Sequence, residues 1–380
     1  MISPVAWVRG RLGERGAALA LLVVLLALAV VPLVLLPAAR CEVFGSGCRT
    51  PAPEARADPV ATTRAPTPLE VATRGSYVAL GDSYSAGVGA EATVADQNPL
   101  DRCHRTSKAY YHEVSKAFRF AKGSAFWACS GAKTGDVLKG RGGEPPQIGR
   151  IGADTSLVTI SIGGNDVGFS RVLAGCVVRL PWSKGCTAQG EEIAGRMAEL
   201  RRSLPDLIAK ITERAPRARV IVMGYPKAFS EVSGADGDNI TVSDQRWLNA
   251  RTYDLDRLIR QSVAEADARK VSGRRPGSVE FVDAYSAFAG HEVGSKDAYM
   301  NGLTLNLAAL EAEPRSYHPT VAGQRALARL FVDQIKKGPG GRSPSRPRAG
   351  RRAPPRAPPV PGPPRRRTRP AGSGARRSAS

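Results

Sequence analysis

The chain has 380 residues, 42% of them hydrophobic, and a formal net charge of +21 at pH 7. Its last 43 residues, Gly338 to Ser380, carry twelve arginines, eleven prolines and no acidic residue, leaving residues 75–337 at only +6. That distribution excludes a wholly disordered chain and a uniformly basic nucleic-acid-binding domain, and residues 75–337 are numerous enough to bury one full core.

From the N-terminus, residues 16–39 carry no charge and come after Arg9, Arg11 and Arg15. A bilayer needs about 20 apolar residues, so this stretch is expected to be a membrane anchor with its N-terminus in the cytoplasm. A cleaved signal peptide is the other reading, since Pro37-Ala38-Ala39 offers small residues before Arg40. Both readings export the chain from residue 40 onward. Residues 40–74 are expected to be a linker, its Thr50–Thr73 part an extended tether rich in Pro, Ala and Thr. Six cysteines in an exported chain point to disulfides, for which sequence alone leaves fifteen connectivities. Pairing near neighbours gives Cys41–Cys48, Cys103–Cys129 and Cys176–Cys186. There is no CxxC pair and no HxxxH spacing, so no metal and no cofactor is expected.

Within residues 75–337, apolar β-branched runs fall at Tyr77–Leu80, Leu157–Ile162, Val220–Met223 and Val279–Val282, with a weaker strand before Cys129. Helical patterns lie between and after them, at Ala109–Phe118, Glu191–Arg214, Asp244–Lys270 and Val321–Lys336. This alternation predicts an α/β domain whose parallel sheet is covered on both faces, with chemistry at the C-terminal strand ends.

Two of those ends carry polar turns. Tyr77–Leu80 runs into Gly81-Asp82-Ser83, where a serine at a strand-to-helix turn exposes its hydroxyl and leaves its amide free to donate. A helix N-cap is the alternative role for such a residue. The second strand delivers Gly163-Gly164-Asn165-Asp166, either a neutral oxyanion donor or an ordinary turn. Four histidines exist. His104 adjoins Cys103, His112 lies in a predicted helix, and His291 suits a structural or pocket-lining role. His318, in Ser316-Tyr317-His318-Pro319 ahead of the last helix, is the best-placed base.

Gly81-Asp82-Ser83, Ser130-Gly131-Ala132, Gly163-Gly164-Asn165-Asp166 and His318-Pro319 stand in the order of the four blocks of the SGNH (GDSL-type) hydrolases, which residues 75–337 resemble. Cys129-Ser130-Gly131-Ala132 and the pairs Cys103/Cys129 and Cys176/Cys186 look most like the secreted actinobacterial esterase/lipase branch. The resemblance implies a flavodoxin-like three-layer α/β/α sandwich on a mainly parallel five-stranded sheet, hydrolysing carboxylic esters. It makes Ser83 the nucleophile, His318 the general base, and the Ser83 and Gly131 amides with the Asn165 side chain the oxyanion hole. The family places Asp three residues before the histidine; here that residue is Arg315, a cation unable to accept from the imidazole. The Arg315 backbone carbonyl is the preferred orienting group and Glu313 the alternative. The segment Phe288-Ala289-Gly290-His291, with Asn301-Gly302 downstream, also resembles this branch, but Gly294 and Ser295 stand where a third bridge's cysteine is often found, so this loop is expected to be more mobile.

The expected function is therefore an extracytoplasmic serine esterase or lipase acting as a monomer on an acyl ester or lipid. A deacetylase of envelope polysaccharides on the same fold, or a non-catalytic envelope-binding module, are the alternatives. The Arg/Pro tail, residues 338–380, is expected to be disordered and to attract anionic envelope polymers or lipids, while export argues against nucleic acid as its partner.

Overall fold

The computed structural model describes residues 16, 18–31, 64–91, 102–177, 185–232, 240–306 and 311–340. The chain divides into two units, Met1–Ala65 and Pro66–Ser380. In the first, residues 18–31 are helical. That length is about 21 Å, short of the roughly 30 Å of a bilayer core. Among the described residues no helix is long and apolar enough to cross a membrane, so the spanning helix expected over residues 16–39 is not found there. Cys41, Cys48 and residues 341–380 lie outside the described residues.

The second unit begins earlier than its composition indicates. Pro68–Thr73 is a helix, α1, rather than tether. The Thr67 hydroxyl accepts the Glu70 N–H at 3.2 Å while the Glu70 carboxylate accepts the Thr67 N–H, a capping box with proline at the first helical position. Ala72 is fully buried, and the Pro68 carbonyl accepts from Arg219 Nη1 at 3.0 Å. The domain then runs β1 (Ser76–Gly81), α2 (Ser83–Ala86), α3 (Tyr110–Ala117), β2 (Ser124–Phe126), α4 (Thr134–Lys139), β3 (Thr155–Ser161), α5 (Phe169–Val177), α6 (Gly190–Arg214), β4 (Arg219–Met223), α7 (Val242–Ser272), β5 (Ser278–Val282), α8 (Ala284–Ala287), the small antiparallel pair β6 (Leu305–Asn306) and β7 (Glu311–Ala312), and α9 (Val321–Lys337).

The five main strands pair in the order β2-β1-β3-β4-β5, all parallel. Register aligns Val78, Val158, Val220 and Val279 across the sheet. Because successive strand side chains point to opposite faces, these valines pack on one side with Leu200, Leu204 and Ile208 of α6 and Leu255 and Ile259 of α7. The alternate residues Tyr77, Leu157 and Ile221 pack on the other with Tyr110 and Val114 of α3 and Leu327 and Phe331 of α9. Each such aliphatic side chain contributes roughly 1.5–3 kcal/mol when fully buried. Three layers result, with the α/β sandwich and five parallel strands expected.

A charged pair, Arg219 of β4 and Glu280 of β5, interrupts the apolar sheet. Arg219, 1% exposed, donates to both oxygens of buried Glu280 at 2.8 and 2.7 Å, and to the carbonyls of Pro68, Gln334 and Ile335. With every donor direction used, the pair ties α1 and the end of α9 to the sheet.

Candidate active site

In this strand order the connections from β1 and from β3 run to opposite edges of the sheet, a switch point that opens a crevice at their C-terminal ends. From β1 comes Gly81, at φ +123°, where a Cβ would fall 2.4 Å from the Ser161 carbonyl; only glycine lets the strand turn so close to its neighbour. The side chain of Gln147 grips both polar groups of this glycine, accepting its N–H at 2.8 Å and donating to its carbonyl at 3.0 Å. Asp82 then caps α2 by accepting the Tyr84 N–H at 3.0 Å. Ser83 stands at the first helical position, where a helix start leaves amides without intrahelical partners.

His318 arrives from the turn before α9. Its Nε2 lies 2.8 Å from Ser83 Oγ, and its Nδ1 lies 3.0 Å from the Ser316 carbonyl. A carbonyl only accepts, so Nδ1 carries the hydrogen and the Nε2 lone pair faces the serine hydroxyl. Burial drives the His318 pKa down to about 4, against the opposing pull of the Ser316 and Pro314 carbonyls. The ring is thus neutral at physiological pH. Asn301 Nδ2 holds the His318 carbonyl at 2.9 Å, and the Tyr84 hydroxyl donates to the Tyr317 carbonyl at 3.0 Å.

The orienting group is not the one expected. The Arg315 carbonyl accepts the backbone N–H of His318 at 3.1 Å and closes the turn, which leaves the Ser316 carbonyl to meet the ring. Glu313 does not take that place either: its Oε2 pairs with Arg315 Nε at 2.6 Å.

Ser83, Gly131, Asn165 and His318 all line one cavity of about 570 Å³. Gly131 sits at φ +77° on the loop fixed by the Cys103–Cys129 disulfide, with the Ser130 N–H bound to the Cys103 carbonyl at 3.0 Å. Asn165 Nδ2 donates to the Ala132 carbonyl at 3.1 Å, which aims the amide and leaves its second hydrogen for another acceptor. Cys176–Cys186, the second pair expected, is also formed. Apolar side chains also line the cavity, among them Phe169, Leu173, Val177, Pro226, Phe229 and Leu303. His104, His112 and His291 do not line it. His291 instead stacks on Tyr299, ring centroids 3.9 Å apart, with its Nδ1 2.8 Å from the Asp297 carbonyl.

Tyr225 belongs to the site although its local sequence does not mark it. It lies just beyond the C-terminal end of β4, and its oxygen accepts the Gly164 N–H at 2.7 Å while its hydroxyl donates to Asp82 Oδ2. It thereby joins the serine turn to the Gly164-Asn165 turn. Desolvation lifts Asp82 to a pKa of about 7, with the Tyr225 hydrogen bond pulling the other way. The available signal is its place at a strand end, in Gly224-Tyr225-Pro226.

Residues 79–326 match the model of the GDSL-like lipase/acylhydrolase family. The chain is 33% identical over 253 residues to Lipase 1 of Streptomyces coelicolor, covering 65% of this chain and 82% of that protein. Among solved structures it is similar to phospholipase A1 from Streptomyces albidoflavus, with 32% identity, a TM-score of 0.57 and coverage of 69% of this chain and 99% of that one. It is likewise similar to the extracellular lipase from Streptomyces rimosus, with 30% identity, a TM-score of 0.55 and coverage of 68% and 99%. With the family model spanning most of the α/β domain and relatives of this identity, the chain belongs to the GDSL-like lipase/acylhydrolase family and is a carboxylic ester hydrolase.

Proposed function

We propose that the protein is an extracytoplasmic serine esterase or lipase that cleaves acyl esters through a Ser83–His318 dyad. The observation that carries this reading is the 2.8 Å approach of His318 Nε2 to Ser83 Oγ at the wall of an apolar cavity. Ser83 Oγ attacks the ester carbonyl as His318 takes its proton. The imidazolium so formed keeps its Nδ1–H on the Ser316 carbonyl, which does for ring orientation what a carboxylate does in a triad. The Ser83 and Gly131 amides and the second Asn165 hydrogen receive the developing oxyanion, where each donor is worth about 3–4 kcal/mol. His318 then protonates the departing alcohol, and a water activated by the same ring releases the acid from Ser83.

The cavity, about 570 Å³ and walled by Phe169, Leu173 and Phe229, supports an acyl chain rather than an acetyl group alone. Disulfides inside the domain and the likeness to an extracellular lipase support export. The test is turnover of p-nitrophenyl esters of graded chain length by wild type and Ser83→Ala. Activity that rises beyond acetate and vanishes in Ser83→Ala is expected. An acetate-only profile favours a deacetylase, and equal rates in both proteins defeat the enzymatic mechanism.

A further inference from the structure

Gly131 and Asn165 come from two separate turns, one ahead of α4 and one beyond β3. Neither turn by itself fixes how far apart the two donors stand. A pair of side chains that the chemistry does not use joins them. The Asp166 carboxylate, next to Asn165, accepts the backbone N–H of Thr134 at 3.1 Å on both oxygens, and its Oδ1 accepts the Thr134 hydroxyl at 2.6 Å. Thr134 is 3% exposed and is the first residue of α4. Its hydroxyl oxygen also lies 3.1 Å from Ser203 Oγ of α6, so the clasp is anchored to a long core helix.

Only short spans of chain separate this clasp from the donors. Asp166 directly follows Asn165, and Thr134 is three residues beyond Gly131. The bond from Asn165 Nδ2 to the Ala132 carbonyl, at 3.1 Å, falls inside the ring so closed. Asp166 does not line the catalytic cavity. It lines a second one, of about 310 Å³, which shares Gly131 and Asn165 with the first but holds neither Ser83 nor His318. Its place is therefore beside the donors rather than among the reacting atoms. A bare carboxylate there would oppose a developing oxyanion, but Lys133, Arg141, Arg171 and Arg196 line the same cavity, so its charge does not stand alone. The Arg141 guanidinium packs against Gly131 itself, where a Cβ would fall 2.6 Å from Nη2.

We propose that Asp166 and Thr134 are positioning residues for ester hydrolysis, their clasp setting the separation of the Gly131 amide and the Asn165 side chain to fit one oxyanion. This inference rests on the reading of Ser83 as nucleophile and of Gly131 and Asn165 as oxyanion donors. Losing one such donor lowers kcat about 10²–10³-fold, and misplacing a group by about 1 Å costs about 100-fold. A loosened clasp keeps both donors but misplaces them, so its cost belongs at the lower end of that range.

The test measures kcat and KM on the p-nitrophenyl ester that wild type hydrolyses fastest, alongside the melting temperature of each variant. Asp166→Ala is expected to lower kcat about 100-fold and Thr134→Val about tenfold, each with KM within about threefold of wild type. Asp166→Asn keeps an oxygen for the Thr134 N–H and should stay within about fivefold of wild type. A double-mutant cycle supplies the readout that a merely structural role would not move. With Asn165 already replaced by alanine, Asp166→Ala should cost no more than about threefold further. Affinity for a trifluoromethyl ketone that adds to Ser83 should fall in parallel with kcat. Wild-type kcat in Asp166→Ala and Thr134→Val, a loss carried by KM, or losses that multiply in full with Asn165→Ala overturn the clasp and leave the dyad standing. Thr134→Val, which removes a single hydroxyl, decides alone should Asp166→Ala fail to fold. An unchanged kcat in Asn165→Ala defeats the donor assignment, and a wild type that neither hydrolyses esters nor labels at Ser83 defeats the nucleophile; either takes the clasp with it.

Discussion

Replacing Tyr225 with phenylalanine removes one hydroxyl from a buried junction at the wall of the active-site cavity. That hydroxyl accepts the Gly164 N–H at 2.7 Å and donates to Asp82 Oδ2, so the variant strands a buried amide and a buried carboxyl together. An unsatisfied buried donor costs about 1–3 kcal/mol, and a lost hydrogen bond to a charged group about 1.5–3 kcal/mol. The two costs do not apply equally at every pH. Asp82 has a pKa of about 7 in the fold against an ordinary 3.8, so ionising it disfavours the folded state, and its contribution to stability declines as pH rises from about 4 to about 7. The Tyr225 hydrogen bond limits that decline. Without it the carboxyl titrates above 7, and each unit of further rise adds about 1.4 kcal/mol of destabilisation at alkaline pH. The expected loss in Tyr225→Phe is therefore about 1–3 kcal/mol at pH 5 and distinctly more at pH 8. Urea denaturation of both proteins at the two pH values measures it. A loss below about 0.5 kcal/mol, or one identical at pH 5 and pH 8, would refute the proposed coupling of Tyr225 to Asp82.

The histidine sets two further outcomes. Since only the neutral ring can take the serine proton and its pKa is held at about 4, kcat/KM should keep its value well below pH 6.5 and fall with an acid limb near pH 4; a limb at 6.5 would show a ring exposed to bulk water. Glu313→Ala and Arg315→Ala should each leave kcat within a few-fold of wild type, because the ring hydrogen rests on the Ser316 carbonyl. A loss of most turnover in Glu313→Ala would return the orienting role to a carboxylate.

How much of the molecule is legible in its sequence depends on how local each feature is. The strands, the long helices and the four short blocks are set by periodicity and turn chemistry within a few residues. Gly81 is needed because the chain must bend against the Ser161 carbonyl, two residues before Ser83 opens the helix at the strand end. Tyr225 is different: its partner Asp82 is 143 residues away, and nothing at Gly224-Tyr225-Pro226 announces that contact. The Ser316 carbonyl is hidden for another reason. Which of two adjacent carbonyls faces the ring depends on the turn, where Tyr317 adopts φ +56° and the Arg315 carbonyl is consumed by the His318 N–H. Helix α1 is legible locally but masked by its surroundings. Thr67-Pro68-Leu69-Glu70 spells a capping box that the Pro- and Ala-rich composition around it obscures.

The central claim is that Ser83 is the nucleophile and that His318 activates it. Treatment with a fluorophosphonate, then peptide mass spectrometry, reads this out without assuming a substrate. The account predicts a single stoichiometric adduct on Ser83, absent in Ser83→Ala and formed at least a hundredfold more slowly in His318→Ala. An adduct on another residue, or equal labelling of wild type and His318→Ala, would contradict it.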